Sequence, residues 1–445
     1  MALSNFDIGL LVAYAIVCIG IGVWSSRKNK SSDYLTAGRS LTTWQFIATT
    51  VASVIGGGSI VAYCAYVYQF GISAIMAWMG NTVGAILFIY YAKKLRSLVD
   101  KHNFHTLSDY FYLKFNKKAG MLSAAIIFIA YIGYLVNQFV AGSSILAAMS
   151  GLSYEVALFS AGMVILVYLS LGGFRSVVRT DIFQYLLMFF LFLGLGFILI
   201  KDATIPVKLL DPAGLGVSLS ISFIVYGLVI TFVSADIWQR VYAAKNEKVV
   251  SRGLIGSAIV FLLIGIGITM IGLAAARDFP GIDPNQAAAY GLQSLAPAGL
   301  MGVGLVLIFA AIMSSADTVI FVLATNVAKD YLGHKFYNKL SDEELMRLTR
   351  MLVVIIAVLG MALAYFFRDI VAIILTITGV LFALFPAVIG SFHWELKNNA
   401  VIASLVAGLI YIICLIALNQ IIPELAVVSV LVSGVVLVIG QKLFK

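Results

Sequence analysis

The chain has 445 residues, of which 62% are hydrophobic and only 11% charged, and its formal net charge is +9. A soluble globular domain is excluded, because a water-facing surface carries roughly twice that share of charge. The positive excess points to no nucleic-acid partner, since it collects in short segments between apolar runs.

Apolar stretches of 18 or more residues are long enough to span a bilayer as helix. They recur at about 6–25, 43–68, 72–92, 121–149, 154–171, 181–200, 218–240, 252–275, 296–328, 349–367, 369–391, 399–418 and 423–441. These thirteen predict an all-α polytopic membrane protein forming one transmembrane domain over 1–445. The first stretch lacks a basic leader and a small-residue cleavage site, and Arg27, Lys28 and Lys30 follow it. It is therefore expected to be a retained helix rather than a cleaved signal. With the N-terminus outside, all Lys and Arg except Lys201, Lys208, Arg277 and Arg368 fall on the cytoplasmic side. That asymmetry predicts thirteen crossings with the C-terminus inside.

Between the spans, His102–Lys118 reads as an interfacial helix. Arg277–Pro297 reads as an external loop followed by a short amphipathic helix, and Gly333–Arg350 as a solvated cytoplasmic connector. Cys18, Cys64 and Cys414 sit in apolar spans without metal-ligand spacing and are taken as packing residues. His102, His105, His334 and His393 are scattered and form no metal pattern.

Two spans carry the features of broken helices. VASVIGGGSIVAY puts Gly56, Gly57 and Gly58 in mid-membrane. Each glycine disfavours helix by about 1 kcal/mol relative to alanine, and carbonyls freed there need protein or an ion as partner. Close approach of another helix would explain the same glycines. The seventh span has Gly227 mid-helix and Asp236 near its cytoplasmic end. Two broken helices five spans apart are the arrangement of transporters built from inverted repeats, with the site between them.

The ninth span is the most polar in a useful way. In AAIMSSADTVIFVLATN, Ala311, Ser314, Ser315 and Thr318 share one helical face, with Asp317 at its edge. An intramembrane carboxylate costs roughly 2.5–3.5 kcal/mol on insertion scales, so it is rare unless it faces a partner or a wet cavity. Hydroxyls beside a carboxylate suit a hard monovalent cation, although small residues at a helix interface give the same pattern.

Four segments, in this order, bear a family likeness: Asp33–Trp44 (DYLTAGRSLTTW), Tyr168–Gln184 (YLSLGGFRSVVRTDIFQ), Ala235–Gly253 (ADIWQRVYAAKNEKVVSRG) and AAIMSSADT. Together they resemble the sodium:solute symporter family, whose members carry proline, pantothenate, sialic acid, glucose and choline. The resemblance covers nearly the full chain. It implies a leucine-transporter-type fold, a five-plus-five inverted repeat over about 43–200 and 218–391, with 6–25, 399–418 and 423–441 peripheral. It implies a main sodium site on the carbonyls of Ala52, Ile55 and Ala311 and the hydroxyls of Ser314 and Ser315. It also raises a second sodium site on Asp181, Ser314, Asp317 and Thr318, although part of the family has serines where this chain has Asp317 and Thr318. A salt bridge from Asp181 to Arg175 or Arg179 is the competing reading of that acid.

The expected function is sodium-coupled import of a small organic solute across the cytoplasmic membrane by alternating access. Sodium is the coupling ion, with no organic cofactor, no obligate protein partner and no enzymatic activity. The resemblance places the solute among Gly57, Gly58, Ser59, Trp78, Tyr131, Tyr134, Asn137, Gln138, Tyr226 and Thr231, with Phe382 and Phe385 as closing residues. A sugar would find few polar partners here, because Gly227 stands at the sugar carriers' asparagine position. The fourth span has no arginine for an acidic solute. Aromatic residues suit an amino acid or other small zwitterion, or a quaternary ammonium; GGGS and SSADT resemble the choline-carrying branch, with Val54 in place of its aromatic residue. A sodium-gated channel or sensor is the reading from another class, and a channel would need a continuous polar pore.

Overall fold

The computed structural model describes residues 4–26, 37–102, 104–169, 174–202, 205–295, 301–331 and 342–444. The helices in chain order are α1 (Asn5–Ser26), α2 (Thr43–Val54), α3 (Gly57–Phe70), α4 (Met76–His102), α5 (Leu107–Lys114) and α6 (Lys117–Ser150). Then come α7 (Tyr154–Leu169), α8 (Phe174–Asp202), α9 (Gly216–Val233), α10 (Ala235–Ala243), α11 (Glu247–Asp278) and α12 (Ala287–Leu295). The last are α13 (Met301–Asn326), α14 (Asp342–Phe366), α15 (Ile370–Phe382), α16 (Phe385–His393), α17 (Asn398–Ala417) and α18 (Pro423–Leu443). Each of the thirteen expected spans carries helix. Among the described residues, 11 helical stretches are long and apolar enough to cross a membrane, with Gly57–Val99 counted as one and Tyr154–Leu166 shorter. The first residues of the Asp33–Trp44 segment, Gly172 and Gly173, residues 296–300 of the ninth span, and His334 with the first half of its connector lie outside the described residues.

Burial ranks the helices. In α13, 94% of the most apolar stretch is buried, against 22% for α1 and 28% for α18. The ninth span is therefore the central post, and α1 and α18 are the least buried of these stretches. Helix starts follow local chemistry: Thr42 and Gln45 form a capping box on α2, and Thr106 and Asp109 do so on α5. Asn116, Asn246 and Asp369 cap α6, α11 and α15.

Three spans are interrupted. Between α2 and α3, Ile55 (φ −88°, ψ 79°) and Gly56 (φ −95°, ψ 164°) leave helical geometry. Gly57 and Gly58, in contrast, are already helical and serve close packing. A Cβ on Gly57 would lie 2.1 Å from Ile312 Cγ1, and one on Gly58 1.3 Å from Asn137 Oδ1. Both explanations of the triple glycine hold, on different residues. The seventh span breaks at Ser234 (φ −74°, ψ 110°), not at Gly227. Gly227 sits inside α9, where a Cβ would approach the Ala77 carbonyl oxygen to 2.2 Å. Gly80 and Gly84 of α4 meet Ile224 and Leu228 in the same seam, so these glycines let α4 and α9 touch backbone to backbone. The third interruption, at Ala383–Leu384, lies just ahead of Pro386, which cannot supply the N–H a continuous helix needs.

The interfacial helix of the second connector is α5, and the helix expected after Arg277 is α12, whose Ala287, Ala288, Gly291, Leu292 and Leu295 are buried. Leu41 and Ala244 form an isolated parallel bridge that ties the entry of α2 to the exit of α10. Arg96 clamps that bridge through the Ala244 and Lys245 carbonyls at 2.7 and 3.2 Å.

Candidate functional site

At the α2–α3 break, the carbonyls of Ala52 and Ser53 lose the N–H partners a continuous helix would provide. The hydroxyl face of α13 supplies replacements. Ser314 Oγ donates to the Ala52 carbonyl at 2.8 Å and to its own-helix Ala311 carbonyl at 3.0 Å. Ser315 Oγ donates to the Ser53 carbonyl at 3.0 Å and lies 3.4 Å from that of Ala52. All of these groups are buried or nearly so. The structure thus gathers Ala52, Ala311, Ser314 and Ser315, adds the Ser53 carbonyl, and places Ile55 buried at the break itself. Three carbonyls and two hydroxyls are neutral oxygen donors. A hydroxyl that turns its proton outward presents a lone pair, so the set fits a desolvated monovalent cation better than a divalent one, which recruits carboxylates.

The second constellation is arranged around an arginine. Arg240 is fully buried; its Nη2 lies 3.3 Å from Asp181 Oδ2 and donates to Thr318 Oγ1 at 2.9 Å. Its Nε donates to Thr49 Oγ1 at 3.1 Å, its Nη1 donates to the Asp236 carbonyl at 3.0 Å, and Thr49 in turn donates to Asp181. Asp181 and Thr318 therefore share a guanidinium instead of facing one another across an ion-sized space. Asp317 accepts from the Thr318 N–H at 2.8 Å and from Thr180 Oγ1 at 3.4 Å. Of the two suggested partners of Asp181, Arg179 instead donates to Ser25 and stacks on Trp24, and the Arg175 side chain lies outside the described residues. The charge count had assigned Arg240 to a cytoplasmic loop; it is instead packed among α2, α8 and α13, and the loop asymmetry survives without it.

Beside the break lies a cavity of about 130 Å³, room for roughly four waters at liquid density. Of the residues expected to meet solute, Ser59, Trp78, Tyr131, Tyr134, Gln138 and Tyr226 line it, together with Ser315 and Thr318. The others are engaged elsewhere. Gly57 and Gly58 make the close approaches described above. Asn137 Nδ2 donates to the Ile370 carbonyl at 2.9 Å, holding the start of α15. Thr231 is buried against its own helix, 3.5 Å from the Gly227 carbonyl. Phe382 packs edge-on against Tyr226 with centroids 5.8 Å apart, and Phe385 against Phe232 at 5.4 Å. Tyr66, Asn81 and Asp236 line the cavity and were not anticipated.

At the end carrying α5 and α10, aromatic side chains pack together. Trp238 packs between Phe88 at 6.2 Å and Tyr110 at 5.4 Å, and Tyr110 stacks on Phe392 at 5.4 Å. Below this layer, Lys329 pairs with Asp109 at 2.5 Å. Burial alone would push the Asp109 carboxyl up, yet Lys329 and the N–H groups of His105 and Thr106 outweigh it and hold it below its usual range. Burial pushes the neighbouring His105 down to about 3.

An unwound helix facing a hydroxyl-bearing helix beside an aromatic-lined cavity is a geometry suited to ion coupling, and comparison with known proteins decides whose. The sodium:solute symporter family matches residues 34–408. The chain belongs to that family. This symporter is 27% identical over 440 residues to the sodium/pantothenate symporter of Escherichia coli (strain K12), covering 90% of this chain and 89% of the relative. It is 27% identical over 425 residues to an osmoregulated proline transporter of Bacillus subtilis (strain 168), covering 89% of this chain and 85% of the relative. It is 25% identical over 486 residues to the sodium/proline symporter of Staphylococcus aureus (strain JH9), with 99% and 94% covered. Its structure is similar to that of a sodium-coupled sialic acid symporter solved in a substrate-bound outward-open state. There the TM-score is 0.86 at 16% identity over 99% of this chain and 98% of that one. A nucleobase-cation-symport-1 transporter gives a TM-score of 0.62 at 11% identity, with 92% and 93% covered. The symporter therefore has the leucine-transporter-type fold, is a multi-pass protein of the cytoplasmic membrane, and is a sodium-coupled transporter of small solute rather than an enzyme.

Proposed function

We propose that the symporter imports a small zwitterion of amino-acid size, coupled to one sodium ion held by the Ala52, Ser53 and Ala311 carbonyls and the Ser314 and Ser315 hydroxyls. The convergence of both serine hydroxyls on carbonyls freed by the α2–α3 break carries this reading. An ion entering there would take over those carbonyls and tie α13 to the break. Because Ser53 and Ser315 also line the solute cavity, ion and solute each stabilise the arrangement the other needs. The membrane potential adds about 2.3 kcal/mol per 100 mV for each charge moved. Asp181 and Thr318 are committed to Arg240, which favours one ion over two. The repeats are taken as about 43–200 and 218–391, rocking against one another, with the N-terminus outside and the C-terminus inside.

The relatives' names include proline and pantothenate; the small, aromatic cavity favours the former scale. A quaternary ammonium solute is the second reading, supported by the tyrosines and the tryptophan of the cavity wall. The packed aromatic rings of Phe88, Tyr110 and Trp238, where a channel would need a continuous polar pore, disfavour a sodium-gated channel. Uptake of a solute panel into proteoliposomes, with and without an inward sodium gradient, tests the proposal. Sodium-stimulated uptake whose half-saturating sodium rises tenfold or more in Ser315→Ala is expected. Uptake indifferent to sodium, or single-channel currents, would refute it.

A further inference from the structure

The cavity wall is aromatic on most sides, and Tyr63, Tyr66, Trp78, Tyr131, Tyr134 and Tyr226 contribute to it. Among its described lining residues the one carboxylate is that of Asp236, in the first turn of α10. The side chain keeps 12% of its surface exposed, whereas Asp181 and Arg240 keep none. The hydrogen bonds on the Asp236 carboxylate come from neutral hydroxyls: Tyr131 Oη donates to Oδ1 at 2.5 Å and Ser53 Oγ to Oδ2 at 3.1 Å. Arg240 approaches Oδ2 only to 3.9 Å, beyond hydrogen-bond reach, because its donors go to Asp181, Thr318, Thr49 and the Asp236 main-chain oxygen. Two carboxylate oxygens offer about four acceptor positions, so two donors leave the group unsaturated. Elsewhere in the same wall the Trp78 indole N–H is buried without a hydrogen-bond partner, and Trp78 itself is 4% exposed.

A carboxylate bonded only by neutral hydroxyls, with its nearest cation 3.9 Å away, is incompletely compensated in an apolar space. The N-terminus of α10 and the distant guanidinium offset part of that cost. An organic cation entering the cavity would offset the rest, and the surrounding rings favour the same charge through their faces.

Building on the zwitterion-symport reading above, we infer that Asp236 anchors the ammonium group of the solute. The solute's cationic nitrogen sits against its carboxylate, within the tyrosine wall and next to the sodium-binding break, while the Trp78 N–H serves an acceptor on the solute's other end. Ser53 links the two sites: its carbonyl accepts from Ser315, and its hydroxyl donates to Asp236. The inference selects solutes by charged nitrogen and excludes sugars and amine-free acids. It covers both amino acids and quaternary amines, which the assay separates.

The test uses the full chain in proteoliposomes with an inward sodium gradient. Uptake is measured for the common amino acids, choline, glycine betaine, glucose and pantothenate. Whichever ammonium solute is taken up is then competed with matched isosteres: cyclopentanecarboxylate for proline, and 3,3-dimethylbutanol for choline. The ammonium member should compete at least tenfold better than its nitrogen-free counterpart. Asp236→Asn should raise the half-saturating solute concentration tenfold or more while leaving half-saturating sodium within about twofold, and Asp236→Glu should recover part of the loss. Trp78→Phe should weaken amino acids and betaine while sparing choline, which has no carboxylate. Equal competition by the isosteres, or sodium-driven uptake confined to nitrogen-free solutes, would overturn the inference and leave symport standing. Because the competition is run on the unaltered protein, it decides the matter even if Asp236→Asn fails to fold. Sodium-independent uptake throughout would overturn the proposed function as well.

Discussion

Replacing Arg240 with Met should do more harm than any single contact suggests, and a second substitution should undo most of it. The guanidinium and the Asp181 carboxylate are both fully buried, with Nη2 and Oδ2 3.3 Å apart. At an effective dielectric of 20, two unit charges at that distance attract by about 5 kcal/mol, much of which is offset by stripping both of water. Removing the arginine alone leaves a bare carboxylate and the Thr49 and Thr318 hydroxyls without their donor. The expected loss is about 3–5 kcal/mol. The pair Arg240→Met with Asp181→Asn removes both charges and should sit within about 1–2 kcal/mol of the parent, so the two changes are strongly non-additive. Thermal unfolding of the four proteins in detergent, each at low and high sodium, measures this. The single Arg240 variant should also gain steeper sodium stabilisation than the parent, because the vacated carboxylate then invites an ion. Single variants as stable as the parent, or a double variant as weak as the sum of both, would refute the reasoning.

Three further outcomes follow from the packing. Gly227→Ala pushes a Cβ to 2.2 Å from the Ala77 main-chain oxygen; since backbone cannot swing aside, the yield of folded protein should fall sharply, as read by size-exclusion profile. Had Gly227 been the hinge of the seventh span, the same change would alter transport and spare folding. Phe385→Leu should lower stability by about 1–3 kcal/mol yet leave half-saturating solute within twofold, because Phe385 faces Phe232 rather than the cavity. For His105, the folded-state value is depressed to about 3 from an ordinary 6.5. Its contribution is therefore full above pH 6.5 and is lost as pH falls below that, by up to about 1.4 kcal/mol per unit. Melting temperature should decline from pH 6.5 to 5 in the parent and less so in His105→Gln.

The hydroxyl face of α13 was legible because helical periodicity puts Ala311, Ser314, Ser315 and Thr318 together whatever surrounds them. The break in the second span was legible because glycine weakens a helix locally. Arg240 was not: at the end of an apolar run its sequence neighbours look like the start of a basic loop. The hint available was Asp236 four residues earlier, an i,i+4 pair inside a span. The break at Ser234 had a similar hint, a serine in N-cap position ahead of an acid in the next turn, and glycine drew attention away from it.

Composition and periodicity by themselves determined that the chain lives in a membrane, which of its segments are helices, and which helix gathers a face of hydroxyls. These depend on the bilayer's demand that backbone groups pair within each span, a demand met locally. The tertiary structure alone decided that Asp181 answers to Arg240, that Asp236 looks into the cavity, and that Asn137, Thr231, Phe382 and Phe385 are occupied in holding helices together. Those outcomes turn on which faces of distant helices meet, and a partner 59 or 105 residues away in sequence leaves no mark in local periodicity.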